Sequence, residues 1–252
     1  MNTLNTGMLR EKLQTVFNDY CDGFDDAGKK IHRSFREKCR IQQKNQPEAH
    51  RLKNAIVELS KISIEAVRSG DKKMTEYCFS QSLESMKQLV NLDLDFLPGF
   101  KSDRCGEAGQ EFTEMVYVIL LYPVVINNED LPEKFPDPFE LFVNIPEYLA
   151  GIQDAIGEVG KLLDDFILDQ KVGFSQEYEL KERFIAAATA IYDTMFHEFV
   201  GIPQSIINNS SYREYRQSFQ GRLGGMRNII ERKKQDLLQI RYHLPEAYKG
   251  DE

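Results

Sequence analysis

Tryptophan is absent from this sequence, and histidine and cysteine number only four each in 252 residues. Cys21, Cys39, Cys78 and Cys105 lie far apart and form neither a CxxC pair nor a zinc-ligand spacing. A disulfide scaffold is therefore excluded, and four reduced thiols in a cytoplasmic protein are expected. No run of 18 apolar residues occurs, so no membrane span and no membrane partner are expected. The first residues, MNTLNTGMLREKLQ, lack the apolar core of a signal peptide. Strand signals are scarce too. There is no Asn-Gly or Asp-Gly hairpin bracketed by alternating β-branched runs.

What is present is helical periodicity and charge. Apolar residues make up 41% and charged residues 29%, a balance that folds. The net charge is −8, which argues mildly against nucleic acid as a partner, but its distribution is uneven. Residues 29–44 hold seven Lys/Arg and one Glu, and residues 213–241 hold eight Lys/Arg and three acids. Residues 127–169 hold eleven acids and two Lys. Basic segments near both ends thus flank an acidic middle, and solvated helix faces would account for either.

The apolar spacing predicts seven helices. The first covers 8–45. The second starts at Pro47, turns Leu52, Ile56, Leu59, Ile62 and Val67 inward, and stops near Gly70. The third covers 71–95, with Met74, Cys78, Leu83, Met86 and Leu89 inward. The fourth covers about 104–122, where Pro123 ends or kinks it. A proline-rich connection, 123–138, leads to a fifth at 146–170 with Pro146 in its first turn. A sixth covers 175–200 with Ser175 as its N-cap, and a basic seventh covers 212–243. The expected fold is all-α, a single domain over residues 1–252.

Two acidic pairs stand out. Glu111 and Glu114 share a helix face just before the apolar run MVYVILL, where like charges repel and desolvation is costly unless a cation joins them. First-turn acids that reach solvent and favour the helix dipole are the plainer explanation. Asp154 and Glu158 lie four apart on the fifth helix, among Gly151, Gly157 and Gly160. Glycines in a helix interior cost about 1 kcal/mol each relative to alanine, which suggests close packing or a nearby ligand. By pattern alone these two acids would be solvated. Brought together, the four carboxylates would offer hard oxygen ligands suited to Mg²⁺ or Mn²⁺. A di-iron bundle would need Glu-x-x-His, and none of His32, His50, His197 or His243 follows a glutamate at that spacing.

The segment YLAGIQDAIGE, 148–158, resembles a motif of the translin family, and more closely its translin-associated factor X branch. Tyr148, Leu149, Gly151, Asp154, Gly157 and Glu158 fall in place. Gln110-Glu111-Phe112-Thr113-Glu114 is similar to the same branch's Q-E-Y-x-E element. ELSKISIEAVRSG, 58–70, and GGMRNIIERKKQDLLQIRYHL, 224–244, are similar to the family's second and last helices. Ile156 stands where the branch has threonine, and Lys161 where it has arginine. The basic stretch that translin carries before the fourth helix is represented only by Lys101 and Arg104.

The resemblance implies an all-α translin-like bundle of about seven helices in a closed octameric barrel. It also implies a Mg²⁺-dependent endoribonuclease that cuts single-stranded RNA and could also take single-stranded DNA. Glu111, Glu114, Asp154 and Glu158 would be both metal ligands and catalytic residues. A non-catalytic translin-like binder of single-stranded RNA or DNA is the alternative. A homo-oligomer is the simpler expectation, and a translin-type partner subunit the other. Phosphate contacts are expected from Lys29, Lys30, Arg33, Arg36 and Arg40, and from Arg222, Arg227, Lys233 and Lys234.

Overall fold

The computed structural model describes residues 26–92, 106–200 and 210–243. Six helices and no strands occur among them: α1 Asp26–Ser69, α2 Lys72–Asn91, α3 Glu107–Asn127, α4 Ile145–Asp169, α5 Phe174–Val200 and α6 Ser210–His243. The chain divides into two compact units, Met1–His50 with Leu92–Arg104, and Arg51–Asn91 with Cys105–Glu252. Of the first, residues 26–50 are described as the opening half of α1. The packing below belongs to the second.

Among the described residues the first two expected helices are one, because α1 continues through Pro47. A proline inside a helix removes one N–H and so frees one carbonyl of the preceding turn. Pro47 itself is exposed. Residues 8–25 of the expected first helix lie outside the described residues.

Within the second unit the inward stripe of α1 is Leu52, Ile56, Ser60, Ser63 and Ala66. Ile62, expected inside, is 41% exposed. On α2 the buried residues are Cys78, Ser82, Met86 and Leu89, while Met74 is exposed. In both helices small or hydroxyl residues take the inner face where size alone favours their bulkier neighbours.

α3 is the core helix. Phe112, Met115, Tyr117 and Val118 are fully buried, and Phe112 stacks on Phe79 of α2. By length and composition α3 could cross a membrane, but most of it is buried against the rest of the protein. It does not stop at Pro123. One further turn follows, ending at Asn128 in the left-handed conformation, because that turn buries Val124 and Val125. The helix opens at Gly106, whose φ of 52° suits glycine.

The connection 128–144 returns the chain to the beginning of α3. Gly106 N–H donates to Glu147 Oε1 at 2.7 Å, so α3 and α4 start side by side. A crossover of that kind needs a long link, and this one is pinned by its own contacts. Tyr148 Oη donates to the Pro136 carbonyl at 2.8 Å and lies 2.6 Å from Tyr117 Oη, and Phe135 stacks on Tyr117. α4 opens with a capping box. Asn144 accepts from Glu147 N–H while the Glu147 carboxylate accepts from Asn144 N–H, with Pro146 in the first turn as expected. α5 starts at Phe174, and the Gly173 carbonyl accepts the Glu177 N–H. Ser175 is therefore inside the first turn rather than at the cap.

Candidate metal and nucleic-acid site

The parallel start of α3 and α4 sets the two acidic pairs at the same level. Contact is closest at Gly151. A Cβ there would stand 2.5 Å from the Gln110 carbonyl oxygen, 2.5 Å from Thr113 Cβ and 2.9 Å from Glu114 N. Only a residue without a side chain lets the α4 backbone come this near. The glycine stripe thus has a packing cause here, and again at Gly160, where a Cβ would stand 3.2 Å from Phe184. Gly157 has room, with Ile229 as its nearest neighbour at 3.8 Å.

Around this crossing lie the four acids. Glu111, Glu114, Asp154 and Glu158 are all half-buried. Asp154 and Glu158, solvated by pattern, keep side-chain exposures of 34% and 25%, because α3 and α6 pack beside them. Burial pushes the Glu114 carboxyl up to about 7, and the charges of Glu111, Asp154 and Glu158 push the same way. Burial also raises Glu111. The Lys61 ammonium on α1 opposes that rise, while Glu107 and Asp154 add to it. One electrostatic site therefore includes all four acids, and it carries more negative charge than its surroundings neutralise.

Cations approach from three sides. Lys61 acts on Glu111 and Glu114 through space. Arg222 of α6 places Nη1 4.0 Å from Asp154 Oδ1 and donates to Gln153 Oε1 at 3.4 Å. Lys161 pairs with Glu158 at 3.3 Å. Gln110 Nε2 donates to Asp154 Oδ2 at 2.5 Å. Sequence reasoning missed Lys61 and the polar role of Gln110. Both stood in quoted segments, but only tertiary packing shows what they face.

Among the described residues no three His, Cys, Asp or Glu side chains already converge as a metal-binding group. The four side chains offer the oxygen atoms that hard divalent cations take as ligands. They are partly withdrawn from water, and Glu114 among them is destabilised as an anion by its neighbours.

The basic residues fare differently. Lys29, Lys30, Arg33 and Arg36 lie on the part of α1 where only the backbone is described. Arg40 is exposed and lies 3.9 Å from Glu37. Arg227 is exposed, and Lys234, 45% exposed, pairs with Glu231 at 3.0 Å. Lys233 departs from expectation. It is buried, and its ammonium donates to both oxygens of Asp164, at 2.6 and 2.5 Å. It joins α6 to α4.

No protein-family model and no curated protein matches the sequence. The likeness is to solved structures. AfC3PO in complex with duplex RNA superposes with a TM-score of 0.59 at 17% identity, over 84% of this chain and 97% of that one. AfC3PO alone gives 0.56 at 18% identity, over 84% and 98%. Apo-NeC3PO gives 0.56 at 17% identity, over 86% and 99%. This chain has the C3PO fold. The match spans nearly the whole of each C3PO chain.

Proposed function

We propose that this protein is a metal-dependent endoribonuclease of the translin type, assembled as a homo-oligomer and acting on single-stranded RNA. The observation that carries the reading is the meeting of two separate acidic motifs at Gly151, where Glu114 is raised to about 7. Two acidic pairs on helices that pack together, with one glutamate pushed up by burial and by its neighbours' charge, support a bound cation. The C3PO fold, and the binding of duplex RNA by AfC3PO, support the RNA part of the reading. Similarity to the factor X branch rests on the four acids themselves.

Glu111, Glu114, Asp154 and Glu158 would hold Mg²⁺, with Mn²⁺ as the alternative. Bound there, the ion would supply Lewis acidity and a water of lowered pKa. The chain's own residues supply the rest. Arg222, 4.0 Å from Asp154, and Lys61, whose charge acts on Glu111 and Glu114, would neutralise phosphate oxygens. Arg40, Arg227 and Lys234 offer exposed charge for sequence-independent contacts. Exposed Leu168, Phe174, Leu238 and Tyr242 supply apolar surface for the oligomer.

The test is cleavage of an end-labelled single-stranded RNA with Mg²⁺ and with EDTA, by wild type and Asp154→Ala. The expected result is metal-dependent cutting that the variant loses. Binding of RNA by both proteins with cutting by neither would leave a translin-like binder.

A further inference from the structure

Several hydroxyl side chains of these helices are satisfied by their own turn. Ser69 Oγ donates to the Glu65 carbonyl at 3.0 Å and Thr75 Oγ1 to that of Asp71 at 2.9 Å. Thr113 Oγ1 donates to the Gly109 carbonyl at 2.9 Å and Thr194 Oγ1 to that of Ala190 at 2.8 Å. Such back-bonding is common for serine and threonine inside a helix. Ser60 and Ser63 on α1 and Ser82 on α2 differ. Each is 0% exposed. Among the described residues no hydrogen-bond partner reaches their Oγ atoms. Thr189 Oγ1 on α5 shares that condition, so three of the four such atoms fall on two consecutive helices.

The turn between these helices sets them side by side. Gly70, at φ +73°, donates its N–H to the Val67 carbonyl at 3.2 Å, and Asp71 N–H donates to the Ala66 carbonyl at 2.8 Å. That pair of bonds closes α1. Asp71 then caps α2, its Oδ1 accepting the Met74 N–H at 3.0 Å. Two helices joined by so short a turn form an antiparallel hairpin. At about 1.5 Å per residue, Ser60 and Ser82 both stand about 15–17 Å from the turn. Ser63 follows Ser60 by one turn on the same face. The other buried side chains of the two inner faces are Leu52, Ile56 and Ala66 on α1 and Cys78, Met86 and Leu89 on α2. None carries a charge, so an ion finds no counter-charge there. With these side chains closed off from solvent, a ligand of this layer is small as well as neutral.

We infer that Ser60, Ser63 and Ser82 form an internal hydration site, in which ordered water joins α1 to α2. Each hydroxyl offers one donor and two lone pairs, and water answers both. A buried water makes about three hydrogen bonds to polar groups of this kind. Small side chains let the two helices approach until a single layer of water reaches both. The site is independent of the acid cluster and of the nuclease reading.

Water-deuteron magnetic relaxation dispersion detects the long-lived internal water of the full-length protein. Wild type is compared with the triple variant Ser60→Ala/Ser63→Ala/Ser82→Ala and with Ser69→Ala, whose hydroxyl bonds to its own helix. The triple variant loses long-lived water that Ser69→Ala keeps. A wild-type signal in the triple variant would overturn the site. Urea denaturation of the single variants gives a second reading, which stands even where the triple variant fails to fold. A hydrated hydroxyl contributes to stability, so Ser60→Ala, Ser63→Ala and Ser82→Ala each lower the urea midpoint by roughly 0.3–1 M, despite the higher helix propensity of alanine. An equal or higher midpoint at any of the three would mark a hydroxyl that bonds to nothing and overturn its place in the site.

Discussion

Glu114 carries the clearest titration signal. Its folded pKa, about 7, lies above the ordinary glutamate value of 4.5. Between those two values the folded state keeps a proton that the unfolded state has released, so stability falls as pH rises from about 4.5 through 7. Thermal melts of the wild type without divalent cation should show this decline. Glu114→Gln removes the group and should flatten it, raising the melting temperature by several degrees at pH 8 and little at pH 4. A second residue-level contrast lies in the glycines. Gly151→Ala should destabilise by roughly 2–4 kcal/mol, because its Cβ meets backbone and a β-carbon at 2.5 Å. Gly157→Ala has room and should stabilise by about 0.5–1 kcal/mol through helix propensity. Urea denaturation distinguishes the two. The acids and the glycines were both legible in the sequence. What was illegible was which glycine the packing needs, since that depends on a helix 40 residues away.

Among the elements, α1 and α6 show where periodicity misleads. Alternating large apolar residues at 59, 62 and 67 suggested a stripe that the packed helix places partly outside, because Ser60, Ser63 and Ala66 allow a tighter interface. Pro47 and Pro123 each punctuated the sequence, yet neither ends its helix. In α3 the burial of Val124 and Val125 outweighs the lost hydrogen bond. Arg222, Arg227, Lys233 and Lys234 of α6 were all expected to contact phosphate, and Lys233 points inward to Asp164 of α4. Asp164→Ala would strand a buried ammonium and should cost about 2–3 kcal/mol. Lys233→Met should leave RNA affinity and its salt dependence unchanged. Arg222→Ala should weaken RNA binding across sequences and reduce the slope of log affinity against log salt by about 0.7. Filter binding at several salt concentrations checks both.

At the scale of the whole molecule, the all-helical class and the position of the acids on two facing helices were expected, and the structure has both. The long connection 128–144 was visible as a proline-rich stretch, but its purpose was not. It brings α4 back to the start of α3, and that return aligns two motifs 40 residues apart into one site. Arg222 lies 4.0 Å from Asp154, and the Lys61 charge acts on Glu111 and Glu114. The most direct measurement compares wild type with Glu114→Ala on one labelled single-stranded RNA, with Mg²⁺, with Ca²⁺ and with EDTA, while binding is followed in the same samples. The account predicts internal cuts by the wild type in Mg²⁺ only, their loss in Glu114→Ala, and RNA bound equally by both. Undiminished cutting by Glu114→Ala, or cutting in EDTA, would place the chemistry elsewhere and contradict the account.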